Sequence, residues 1–262
     1  MTIGITGARG VIGSIISQKL SDRNITFNEY SGDIVDYVSL NSWIAENGFT
    51  HLIHLASKVA INEVNKSYEV AYDVNINGTI QLLKAIKNYN KKLFFFYAST
   101  SHVYKSTDLP IKESDELIPM NTYGLTKYIS EIILNDYAKH DSNLNLCIGR
   151  IFSFYHESQK PPYLFPSIKS RLQTEDLNIP FKLVGAESVR DFLNAEKVCD
   201  LIIQLCEKKV IGTFNIASGK GTKIIDFVKN MSDKNITIEY DKTEQSNTLV
   251  ADITKLKTLI NE

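Results

Sequence analysis

Thr6-Gly7-Ala8-Arg9-Gly10-Val11-Ile12-Gly13, directly behind the strand-like Thr2–Thr6, is the stretch that decides the fold. Gly7 permits a tight turn, and Gly10 lets the backbone approach a pyrophosphate closely. Gly13 lets the following helix pack on the sheet, while the helix N-terminus supplies free N–H donors and the positive end of a dipole. Glycines alone are a weak signal. The strand–turn–helix context strengthens it, and Gly7, Arg9, Gly10, Val11, Ile12 and Gly13 are expected to form a phosphate cradle for a dinucleotide.

Outward from the cradle, short apolar runs alternate with longer amphipathic stretches, the pattern of βαβ units and a parallel sheet. Strands are expected at Thr2–Thr6, Ile25–Asn28, His51–Leu55, Leu93–Ser99 and Leu144–Arg150. Helices are expected at Val11–Leu20, Tyr37–Asn47, Ser67–Asn88 and Thr122–Lys139, then at Ala195–Glu207, Lys223–Met231 and Ile253–Ile260. The fold class is therefore α/β: a doubly wound parallel sheet over residues 1–150 that binds NAD(P), with a small substrate lobe over residues 151–262 partly interleaved with the last strands.

Composition narrows the classes. The chain has 262 residues, 43% of them hydrophobic and 23% charged, with 29 basic against 30 acidic side chains. Such a balance offers no field for nucleic acid or an anionic membrane surface. The longest apolar run, Leu93–Ala98, is far shorter than the roughly 20 residues a membrane span needs. No signal segment is expected, and the 3 cysteines form no CxxC, so neither a disulfide framework nor a metal site is anticipated. A cytoplasmic location is the expectation. Arginine is scarce, 5 positions in all (Arg9, Arg23, Arg150, Arg171, Arg190), which enriches these positions for bidentate duties.

The second strand should end near Asn28-Glu29-Tyr30, where a dinucleotide fold meets the adenosine ribose. A neutral Asn28 there, with Arg9 in the glycine loop, favours NADP over NAD, although NAD stays possible. Asp33-Ile34 follows, and Asp33 can either accept from the adenine amino group or cap the next helix.

Two further segments carry chemistry. Tyr97-Ala98-Ser99-Thr100-Ser101-His102-Val103-Tyr104 lies at the C-terminal end of an apolar strand, where open α/β sheets bind ligands. In Tyr123-Gly124-Leu125-Thr126-Lys127, the tyrosine and lysine share a helix face. An ammonium beside the phenol is expected to lower its pKa, and a hydroxyl from the first segment can hold a substrate oxygen at the same place. This is a proton relay suited to hydride transfer at a secondary alcohol.

With these motifs in place, the chain resembles the extended short-chain dehydrogenase/reductases, specifically the NAD-dependent epimerase/dehydratase family acting on nucleotide sugars. The resemblance covers nearly the whole chain. It includes the glycine loop, His54-Leu55-Ala56-Ser57, Asn75-Ile76-Asn77-Gly78-Thr79 and Arg150–Tyr155, then Arg190-Asp191-Phe192-Leu193 and Gly212–Ile216. It implies Thr100 as the hydroxyl that orients substrate, Tyr123 as acid/base and Lys127 as its partner and ribose ligand. Ala56, Ser57 and Ile151 would line the cofactor. Ser101, His102, Phe152 and Ser153 would face the sugar, and Arg190 and Arg171 would meet the diphosphate.

Departures from the family pattern shape the expected reaction. Family dehydratases carry Asp-Glu after the catalytic threonine, whereas Ser101-His102 stands here. Epimerising reductases add a Cys/His pair, of which only His156 has a counterpart. The resemblance thus implies reduction of the 4-keto group of a nucleotide-linked deoxysugar by NAD(P)H, in surface polysaccharide synthesis. The alternatives are an NAD-dependent C4 epimerase and a non-catalytic NADP sensor. A homodimer is also implied, through a four-helix interface presenting Tyr72, Ile76, Ile129 and Ile133.

Overall fold

The segment Leu93–Thr100 is apolar on both faces and is buried along nearly its whole length, as a strand covered by helices on each side must be. It forms β4 of the computed structural model, which describes residues 1–59, 64 and 67–260. Around it lie β1 (Thr2–Thr6), β2 (Thr26–Tyr30), β3 (His51–His54), β5 (Leu144–Ile151) and β9 (Gly212–Ile216). Among the described residues these make a six-stranded parallel sheet in the order β2-β1-β3-β4-β5-β9.

Helices cover both faces. On one side α1 (Val11–Asp22), α7 (Ala195–Glu207) and α9 (Thr254–Ile260) bury Ile16, Leu20, Ile202 and Leu256 against Ile3, Ile5 and Phe96. On the other, α2 (Tyr37–Asn47), α4 (Gly78–Tyr89) and α5 (Thr122–His140) bury Leu40, Leu82, Ile86 and Leu134 against Leu52, Phe95 and Ile148. Before α4 comes α3 (Tyr68–Tyr72) and a π-helical turn, Asp73–Asn77, where one continuous helix over Ser67–Asn88 was expected. Tyr72, Ile76, Ile129 and Ile133, the residues expected to face a second copy, are half-buried.

The smaller lobe carries β6 (Ser153–Tyr155), α6 (Leu164–Thr174), β7 (Phe181–Lys182) and β8 (Val189–Asn194), then β10 (Gly221–Lys223), α8 (Ile224–Met231), β11 (Ile238–Glu239) and β12 (Thr248–Leu249). β8 pairs with β6, β10 and β12, and β7 pairs with β11. Between these pieces the chain returns to the main sheet to supply α7 and β9.

One register matters for the site. The last residue of β1, Thr6, lies beside Tyr30, while Asn28 lies beside Gly4, two residues deeper. Asn28 therefore does not stand at the mouth of the sheet as expected. Its amide oxygen accepts from the Trp43 indole at 2.6 Å, along the outer edge. The usual doubly wound order places two strands outside the first. Here β2 alone lies outside β1 among the described residues, and the chain passes directly from Tyr30 through Ser31-Gly32-Asp33-Ile34 into α2.

Candidate active site

The glycine loop is built as its sequence demands. Gly7 has φ +77°, and a Cβ there would meet the Ala56 nitrogen at 2.5 Å. A Cβ on Gly13 would meet the Gly7 carbonyl oxygen at 2.4 Å. Gly10 caps α1 without any side-chain acceptor, so the first N–H groups of the helix, from Val11, Ile12 and Gly13, keep their donor capacity. Backbone donors at a helix N-terminus, unscreened by side chains, fit a pyrophosphate. Arg9 is exposed beside them, and its guanidinium makes no ion pair or hydrogen bond among the described residues.

Thr6, at the foot of this loop, is bonded to His54 Nδ1 at 2.6 Å. Burial drives His54 down to about 3, with Lys127 adding to the effect, so its ring is neutral and serves as a spacer between β1 and β3. Asp33 accepts from the Val35 amide at 3.2 Å, but the cap of α2 is Asp36, whose carboxylate accepts from Val38 and Ser39. Ile34 is buried over Gly78, where a Cβ would meet its Cγ2 at 2.7 Å.

The three residues expected to do chemistry come together. Thr100 ends β4, and Tyr123 and Lys127 lie on the first turns of α5. The Thr100 hydroxyl accepts from the His102 amide at 3.3 Å and lies near enough to the Tyr123 phenol to pull its pKa downward. Lys127 is 2% exposed, with its Nζ 4.1 Å above the Tyr97 ring. Burial lowers Lys127 to about 7, against a partial upward pull from Glu131.

The phenol departs from expectation. Instead of lying low beside an ammonium, Tyr123 is raised above its ordinary value by burial, and the nearby Thr100 hydroxyl only partly offsets this. Desolvation of the phenolate dominates, and the lysine expected to offset it is itself losing its charge.

His102 sits against the same helix. A Cβ on Gly124 would meet the His102 carbonyl oxygen at 2.2 Å, so this glycine is needed for the 3₁₀ turn Ser101–Val103 to lie on α5. Burial, aided by the charge of Arg190, lowers His102 to about 4. Its Nδ1 is 2.7 Å from the Asn121 amide nitrogen. A neutral ring accepts there, which leaves Nε2 carrying the proton.

One organising residue was quoted from the sequence without a role. Asn75, 1% exposed on the π-helical turn, accepts from the Ser57 hydroxyl at 2.9 Å and the Lys58 amide at 2.7 Å. It donates to the Lys58 carbonyl at 3.1 Å and to Thr126 at 2.8 Å. One amide thus ties the Ala56-Ser57 loop to the Tyr123/Lys127 helix. An irregular turn inside a helix is the mark of such a functional position.

Residues 14–261 match the family model described as GDP-mannose 4,6 dehydratase. The chain belongs to that family. It is 26% identical to a UDP-glucose 4-epimerase of Mycoplasma genitalium, over 97% of this chain and 89% of that protein. In fold it is similar to the Thermus thermophilus UDP-glucose 4-epimerase in complex with NAD, with TM-score 0.84, 19% identity, and coverage of 98% of this chain and 92% of that one. It is equally similar to RMD from Pseudomonas aeruginosa complexed with NADPH, with TM-score 0.87, 21% identity, and coverage of 99% and 91%. These are extended short-chain dehydrogenase/reductase folds, and the doubly wound architecture expected from sequence stands.

Within this member of the GDP-mannose 4,6 dehydratase family, the remaining expected residues separate into two groups. Ser101 is buried in the 3₁₀ turn, Ile151 is the last residue of β5, Phe152 follows it and Ser153 opens β6. Arg190 is half-buried; its Nη1 donates to the carbonyls of Val189 and Asn247, both at 2.9 Å, and no carboxylate forms an ion pair with it among the described residues. Arg171 is committed elsewhere. It is paired with Glu175 at 2.5 Å, donates to the Lys182 carbonyl and lies 4.1 Å from the Phe181 ring centre, so it braces α6 against β7.

Proposed function

We propose that this chain is an NAD-dependent nucleotide-sugar 4-epimerase, in place of the 4-ketoreductase that the sequence favoured. The observation that carries this is similarity across nearly the full length of UDP-glucose 4-epimerases, joined to the assembled Thr100, Tyr123 and Lys127. Gly7, Gly10, Val11, Ile12 and Gly13 would hold the pyrophosphate of a dinucleotide, and Ala56, Ser57 and Ile151 would line its path. When bound, its nicotinamide supplies reversible acceptance of a hydride.

This chain's own residues do the rest. Thr100 and Tyr123 present their hydroxyls together to the sugar O4. Tyr123 passes its own proton to the Lys127 amine as it takes the O4 proton from the alcohol being oxidised, and both transfers reverse when the ketone is reduced from the other face. Lys127 lies on the same helix face, to compensate charge that builds on the phenol. No carboxylate stands at Ser101-His102, so water elimination lacks its acid and base. Arg190, with no carboxylate partner among the described residues, would meet the diphosphate.

The test is incubation of purified protein with UDP-galactose and no added cofactor, following UDP-glucose by coupled oxidation. Acid release of NAD from the protein is measured in parallel. Interconversion with co-purified NAD is expected. Absence of interconversion in NAD-loaded protein that instead consumes NAD(P)H with a nucleotide-linked 4-keto sugar would overturn the proposal in favour of 4-ketoreduction. One feature favours that second reading: β2 is the outermost strand beside the cradle, and Arg9 stands free there, which suits an exchangeable cofactor and a 2′-phosphate.

A further inference from the structure

Beneath the catalytic residues lies a buried ion pair that no step above uses. Arg150 donates from Nη2 to Glu131 Oε2 at 2.7 Å and from Nε to both carboxylate oxygens, at 3.1 and 3.2 Å. The side chains of the pair are 6% and 3% exposed. The Ser99 hydroxyl donates to Glu131 as well. Arg150 Nη1 completes the network by donating to the Tyr104 hydroxyl at 2.8 Å and the Glu113 carbonyl at 3.0 Å.

The position of the pair gives it a task. Glu131 follows Lys127 by four residues on α5, so the two share a face, and a glutamate so placed is the natural counter-ion of a helical lysine. Yet Lys127 forms no ion pair with any carboxylate among the described residues, although it is buried. Both oxygens of Glu131 are already taken, by the fork of Arg150 and by Ser99. A guanidinium matches a carboxylate bidentately, which a lysine ammonium cannot do.

We propose that Arg150 is a positioning residue for Lys127: by occupying both oxygens of Glu131, it withholds the one carboxylate on the lysine's helix face and leaves Lys127 a buried amine without a counter-ion. The titratable groups recorded against that amine are Glu131 on α5 itself, Tyr97 on β4, His54 on β3 and, through Glu131, Arg150 on β5, with Tyr123 one helical turn before it. Among the described residues only Glu131 can compensate its charge, since His54 is neutral. Lys127 falling to about 7 is consistent with this arrangement. An amine so held can take on and release a proton beside Tyr123 at physiological pH. That role rests on the reading of Lys127 as the partner of Tyr123.

The test reads Lys127 directly in protein labelled with 13C at lysine Cε, without substrate, so it stands whether or not epimerisation is found. The resonance missing from Lys127→Met is followed against pH; ordinary lysines titrate near ~10.4. In Arg150→Met, Glu131 is released towards Lys127, and the midpoint should rise by at least about one unit, tenfold in proton affinity. An unchanged midpoint overturns the proposal. Arg150→Met buries an unpaired carboxylate and can fail to fold. The double variant Arg150→Met/Glu131→Gln removes the whole pair, and its midpoint should stay within about half a unit of wild type. A fall of about a full unit there would show that Glu131 already compensates Lys127 in the native protein, and would equally overturn the proposal.

Discussion

Gly124→Ala tests whether the approach of the Ser101–Val103 turn to α5 sets the catalytic geometry. The added Cβ would lie 2.2 Å from the His102 carbonyl oxygen and 2.8 Å from its carbon, both backbone atoms that no rotamer change can move aside. Restoring ordinary contact requires the turn and the helix to separate by roughly 1 Å, and a misplacement of that size costs about 10²-fold in rate. The separation acts between the Thr100 hydroxyl and the Tyr123 phenol, because Thr100 precedes the turn and Tyr123 adjoins Gly124 on the helix. Overpacking should also cost about 1–3 kcal/mol of stability. Turnover in the UDP-galactose assay should fall about 10²-fold. NAD affinity, measured by fluorescence titration, should be retained, since the glycine loop lies on other elements. Thermal melts establish that the variant is folded. A folded variant with near wild-type turnover would refute the claim that this contact aligns the two hydroxyls.

Tyr123→Phe should lower turnover by ~10²–10⁴-fold with cofactor binding intact, the usual worth of a positioned acid/base, and full activity would remove the tyrosine from the mechanism. Asn75→Ala leaves the Lys58 amide and carbonyl, Ser57 and Thr126 without their shared partner, so about 1–3 kcal/mol of stability should be lost, together with cofactor affinity. Melting and NAD titration check both, and loss of stability without loss of affinity would separate Asn75 from the cofactor loop. His51, His54 and His102 are lowered to about 4, 3 and 4, chiefly by burial. Between those values and the ordinary histidine range near 6.5, the unfolded chain binds more protons than the folded one, so stability should fall as pH drops through that window. Urea melts at several pH values would show it, and a flat profile from pH ~6.5 to 4 would contradict the neutral assignment.

Much of this was legible in the residues because local rules and tertiary context agree. Gly7 and Gly13 announced both their turn and their close contacts, and Leu93–Ser99 announced an apolar strand. Tyr123 and Lys127 announced a shared helix face, which needs only the helical period. What the sequence misplaced depends on register or on desolvation. Asn28 was set at the cofactor mouth by counting along β2, but pairing with β1 puts Tyr30 there, and no local signal fixes that offset. The phenol of Tyr123 was expected low from its lysine neighbour, whereas the burial that raises it comes from distant segments. For Arg171 a local signal was present: Glu175 stands four residues on, a spacing that already suggested the helical ion pair.

Asp191 has a consequence for how the chain comes apart. Fully buried within β8, it accepts from the Ser218 and Gly219 amides at 2.8 and 2.9 Å and from the Ala251 amide at 3.2 Å. One carboxylate thus joins the smaller lobe to the loop leaving β9 and to the segment entering α9, whose Leu256 is packed into the main core. Neither part can shed its order while the other keeps its own, since opening the lobe strips partners from a buried charge and pulls on the last sheet strand. Heat and denaturant should meet one cooperative unit, with tryptophan fluorescence from Trp43 beside β2 and circular dichroism reporting a single shared transition.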